Sequence, residues 1–66
     1  MKRTYRVTVP FQHDMGSIAP FYATESNMES VRDNALWHIN SMRRHDGLRE
    51  LSRLPAGIKI ERTLTA

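Results

Sequence analysis

The chain has no cysteine, three glycines and three prolines in 66 residues, a single tryptophan, and no long apolar run. Without cysteine there is neither a disulfide nor a thiolate metal site, and the lack fits a reducing compartment. A chain this short buries only about 60% of the surface it exposes when unfolded, so its core has little margin. No apolar run is long enough to cross a bilayer or to form the core of a signal peptide, which points to a cytoplasmic protein. Catalytic signatures are missing too: there is no nucleophile elbow, no phosphate-binding glycine loop and no paired-carboxylate spacing. A chain of this length has little room for a catalytic cleft. A single non-enzymatic domain over residues 1–66, without cofactor, is the expectation.

Ten Lys and Arg against seven Asp and Glu give a formal charge of +3. The distribution says more than the sum. Lys2, Arg3 and Arg6 open the chain, Glu25, Glu29 and Asp33 are spaced four apart, and Arg43, Arg44, Arg49 and Arg53 are interleaved with Asp46 and Glu50. The later arginines read as a solvated face with internal ion pairs rather than a nucleic-acid footprint, because no aromatic platform accompanies them. Of the three histidines, His38 and His45 are seven apart and His13 is remote, which is not the spacing of a metal-binding helix. No metal site is expected.

Strict alternation over Thr4–Phe11 predicts a half-buried strand whose regular pairing stops near Pro10. Gln12–Gly16 reads as a turn, and Ser17–Thr24 as a second extended run that Pro20 confines to a sheet edge. Ser26-Asn27-Met28-Glu29 has the spacing of a capping box. Met28, Val31, Ala35, Ile39 and Met42 then recur at steps of three and four, so a helix is predicted from Asn27 to about Arg43. Gly47 interrupts it. Leu48, Leu51 and Leu54 suggest a short second helix ended by Pro55, and Ile58–Leu64 reads as a last strand. The fold class is therefore α+β: a three-stranded antiparallel sheet of order 2-1-3, one main helix on one face and a short second helix, with topology β-β-α-(α)-β.

On that framework the uncovered sheet face shows Thr4, Arg6 and Thr8 beside Lys59, Glu61 and Thr63. Trp37 points away from the apolar stripe. It either packs under Leu48 and Leu51 as a satellite core or stands exposed as a partner anchor. Arg62 falls on the apolar side of the last strand, near its end, where its stem can cover the core rim while its head reaches water or a partner. The candidate partner-binding residues are Arg62, Arg6, Lys59, Glu61, Trp37, Glu29 and Asp33.

Three short motifs, in this order of elements, resemble a known family. Pro20-Phe21-Tyr22-Ala23, the capped acidic helix reaching Ala35-Leu36-Trp37, and Pro55-Ala56-Gly57-Ile58 leading into Arg62 are similar to the small phage-encoded inhibitors of host bacterial RNA polymerase found in short-tailed coliphages. The resemblance implies a protein that docks on the largest polymerase subunits and blocks promoter opening, with Arg62 matching a final-strand arginine used for docking. Leu64 stands where the family has a second arginine, Phe11 where it has a glutamate, and Arg43–Arg53 is an insertion. A different reading takes Lys2–Pro10 as the opening strand of a ribbon-helix-helix DNA-binding domain, with Thr4, Arg6 and Thr8 entering the major groove as a transcriptional regulator would place them. A minor virion component is a third.

Overall fold

A computed structural model describes residues 1–63. Its elements run β1 (Arg3–Thr8), β2 (Phe21–Glu25), α1 (Met28–His45) and β3 (Lys59–Arg62). The three strands form one antiparallel sheet of order β2-β1-β3, as the alternation and the position of Pro20 predict. Val7 pairs with Phe21, so Thr8 would face Pro20, which has no amide hydrogen to give. β2 therefore begins only after the proline, and the expected extended run from Ser17 is shortened to Phe21–Glu25. The first strand is shortened likewise and ends at Thr8, although Val9 still packs in the core. Between them Gln12 and Gly16 bridge each other, with Gly16 at φ 78, a left-handed conformation that costs glycine nothing.

The core is made by Tyr5, Val7 and Val9 from β1 and its extension, Ile18 and Ala23 from the second run, and Val31, Ala35 and Ile39 from the helix. Met42 is only half-buried and Met28 is exposed, so the apolar stripe is shorter than its spacing suggests. The cap lies one residue later than the capping box predicts. Asn27 is the N-cap, extended at φ −147 and ψ 166, and its Oδ1 accepts from the Ser30 amide at 2.9 Å. Serine and asparagine are equally good caps, and the spacing of four places Val31, Ala35 and Ile39 on the buried face of the helix.

The helix runs two residues past Arg43 and stops where Gly47 allows. The Leu48 amide donates to the Arg43 carbonyl at 2.8 Å and the Gly47 amide to the Arg44 carbonyl at 3.0 Å, with Gly47 at φ 75. This is the paired hydrogen bonding of a Schellman ending.

The short second helix does not form. The Leu51 amide donates to Asn40 Oδ1 at 2.8 Å, and Asn40 Nδ2 donates to the Leu51 carbonyl at 3.0 Å, so side-chain bonds replace helical ones. Leu51, Leu54 and Ile58 turn toward the main core from this irregular segment. Arg43 is the other anchor and corrects the reading of a solvated arginine face. It is 4% exposed, its Nε donates to the Arg49 carbonyl at 2.6 Å, and its two terminal nitrogens donate to Asp14 at 3.0 and 2.7 Å. Arg44 behaves as predicted, in an exposed pair with Glu50 at 2.9 Å. Leu64, expected in the last strand, lies outside the described residues.

Candidate protein-docking surfaces

Alternation along paired strands assigns each side chain to a face. Tyr5, Val7, Ala23 and Ile60 look toward the helix, and their neighbours look away. The open face carries a row Tyr22–Arg6–Glu61 across the three strands, with Thr24 beside Thr4 and Thr8 beside Lys59. Thr4 and Thr24 share a hydroxyl hydrogen bond at 3.1 Å, and Lys59 approaches Glu61 at 3.8 Å on the exposed surface. The latter pair contributes little rigidity. Tyr22 is 63% exposed and stands level with Arg6, a placement that a reading of β1 and β3 alone passes over. The signal was present in Phe21-Tyr22-Ala23-Thr24, where the small inward Ala23 sends Tyr22 outward.

The seven sequence-derived candidates divide into three groups. Arg6, Lys59 and Glu61 share the open face. Arg62 pairs opposite Tyr5, hence on the helix-facing side, but is exposed beyond the reach of the helix. It lines a polar hollow of about 220 Å³ with Lys2, Arg3, Thr4 and Thr63. Among the described residues its lining includes no carboxylate. Among the described residues Lys2, Arg3 and Arg62 make no ion pair, so three cations gather at this end of the sheet, with Glu25 opposite Arg3 on β2. Glu29, Asp33 and Trp37 follow one another at steps of four on the outer side of the helix, all exposed.

Trp37 is exposed, 66% accessible, rather than packed under Leu48 and Leu51, with Leu51 drawn toward the main core instead. Beside it lies a hollow of about 380 Å³ walled by Trp37, His38, Ser41, Met42, His45 and Asp46. That is the size of a small ligand pocket and larger than a chain of this length leads one to expect. The Ser41 hydroxyl donates to the Trp37 carbonyl at 2.9 Å, so it is engaged by the helix backbone rather than by either histidine. His38 stacks on Phe21 with ring centres 4.0 Å apart, and His13 meets the edge of Phe11 at 5.7 Å. Among the described residues no three His, Cys, Asp or Glu side chains converge to hold a metal ion. Among them, too, no helix is long and apolar enough to cross a membrane.

The one resolved electrostatic perturbation is structural. The hydrogen bonds from Arg43 hold the Asp14 carboxyl below its usual range, and Asp14 in turn raises Arg43. A lowered carboxylate favours the fold above its unfolded pKa, and that contribution disappears as pH falls through the folded value. Thermal melts at pH 7 and pH 3 are expected to show a smaller acid loss for Asp14→Asn than for the unchanged chain. Equal losses would mean that other carboxylates govern the acid transition.

Compared with protein-family models, with curated proteins and with solved structures, the chain matches none.

Proposed function

We propose that this chain is a small, non-catalytic inhibitor that docks on a host protein, with bacterial RNA polymerase as the target and transcription as the process blocked. The observation that carries the reading is Arg62, exposed at the end of β3 with Lys2 and Arg3 beside it and no ion-pair partner among the described residues. Unpaired cations on a rigid strand suit an acidic protein surface, where complementary charge speeds encounter and fixes orientation. The reading also draws on the three motifs that resemble the phage inhibitors: Pro20 lies just before β2, Trp37 lies on the capped helix, and Gly57, at φ 88, lies in the turn into β3 and Arg62. Phage origin and action in the host cytoplasm belong to the same proposal.

The ribbon-helix-helix alternative needs a first strand free to pair with its copy in a dimer. β1 is instead the central strand, occupied on both sides.

Immobilised protein is expected to retain purified bacterial RNA polymerase and to suppress transcription from a promoter template. Arg62→Glu should weaken retention by about tenfold or more, since it reverses a charge at the contact. Its thermal midpoint should stay unchanged because the side chain is exposed. Failure of the unchanged chain to retain polymerase rejects the target.

A further inference from the structure

We infer that the free edge of β2, together with the hollow beside Trp37, is a docking site for an extended segment of another protein, one carrying a large apolar residue and a lysine or arginine four positions apart. This surface lies on the opposite edge of the sheet from Arg62, with its Glu25 end next to Arg3, and does not depend on which host protein is bound at Arg62.

The two edges of the sheet differ. β3 carries Lys59, Glu61 and Arg62, all exposed, within four residues. Charge of this density discourages strand addition. β2 reads Phe-Tyr-Ala-Thr-Glu, with no lysine, no proline inside the strand and a single charge at its end. Its outer backbone groups are a template for one more strand. An added strand would place alternate side chains opposite Phe21, Ala23 and Glu25, on the side toward the helix.

At the Phe21 end, the stacked ring of His38 connects the strand directly to the hollow, of which His38 is one wall. Trp37 and Met42 supply apolar surface, and an exposed tryptophan beside a hollow is a typical anchor for a partner's buried side chain. At the other end, Glu25 makes no ion pair among the described residues, and only a long 3.5 Å contact from Asn34 Nδ2 reaches it. Arg3 lies opposite Glu25 on β1 without closing a salt bridge. Glu29 and Asp33 add negative charge along the nearby first turns of the helix. Four residues of strand span about 13 Å, so the apolar seat and the acidic end select a pattern rather than a single residue.

A second copy of this chain fits less well. Antiparallel pairing of two β2 strands about Ala23 sets Glu25 opposite Phe21 of the other copy, which leaves the acid without a cation and the hollow without an apolar guest.

The test uses a blocked heptapeptide, T-K-T-V-T-L-T, titrated into the full chain and followed by heteronuclear NMR. Saturable shifts are expected at the backbone amides of Phe21–Glu25 and at the Trp37 indole. Trp37→Ala and Glu25→Gln should each weaken binding about fivefold or more. Both side chains make few internal contacts, so unchanged thermal midpoints will show that the fold is intact. Methylating the peptide's alternate backbone nitrogens on the side facing β2 should abolish binding. Methylating the other set should not. The inference is overturned if β2 fails to shift at millimolar peptide, if only Trp37 responds, or if a lysine-to-glutamate peptide binds equally well. It is also overturned if β2 shifts depend on protein concentration without peptide, since a second copy would then occupy the edge.

Discussion

Ile39→Ala is expected to leave the protein largely unfolded at 25 °C. Ile39 has no solvent exposure and is among the largest fully buried side chains, packed with Val7 and Val31 in the same core. Truncating such a residue costs about 2–5 kcal/mol, because the lost burial is compounded by the cavity left behind. A single core in a chain of this size rarely supplies more than about 3–5 kcal/mol of net stability. The two quantities are comparable, so one methyl-rich side chain decides whether the domain folds. Circular dichroism with a urea titration reads the outcome: the variant should lose most helical signal before denaturant is added. A cooperative transition near that of the unchanged chain would show that the core relaxes into the space or that other contacts dominate.

The second large effect is expected at Arg43, through a different mechanism. Methionine at this position keeps an unbranched stem in the core but removes every hydrogen bond of the guanidinium. That group joins three parts of the chain: the hairpin turn through Asp14, the end of the helix, and the following segment through the Arg49 carbonyl. Arg43→Met should lower the denaturation midpoint clearly more than Asp14→Asn does. The Asp14 side chain is half exposed and can be rehydrated, whereas the Arg43 side chain is 5% exposed and also serves the Arg49 carbonyl. Hydrogen exchange should locate the damage, with amides near Asp14 and in the 48–51 segment losing protection while those near Val31–Ile39 keep theirs. If both variants cost the same, the carboxylate pair alone accounts for the role of Arg43.

These two residues also mark how far the sequence could be read. Ile39 was legible because it sits on a period of three and four with Val31 and Ala35, and burial follows directly from that spacing. The second short helix was misread for a reason of the same kind. Leu48, Leu51 and Leu54 have helical spacing, but the backbone of Leu51 is claimed by Asn40, eleven residues earlier. Local periodicity cannot register a competitor so distant in the chain. The shift of the cap from Ser26 to Asn27 involves two adjacent residues of equal capping ability, so local propensity cannot separate them. Of the candidate surfaces, the open face was largely legible through alternation. The hollow beside Trp37 was not, because it depends on Leu51 and Leu54 turning to the main core and leaving the indole bare.

By itself the sequence determined the order of the three strands and the main helix, the sheet order β2-β1-β3, the edge position imposed by Pro20 and the helix stop near Gly47, since each follows from a backbone constraint or a short-range period. Tertiary structure alone decided that Arg43 is buried, that residues 48–54 are held as an irregular strap, and that Trp37 stands beside an open hollow. These outcomes depend on which distant polar groups are brought together, and hydrogen bonds between residues 11 and 29 positions apart leave no mark in a local pattern.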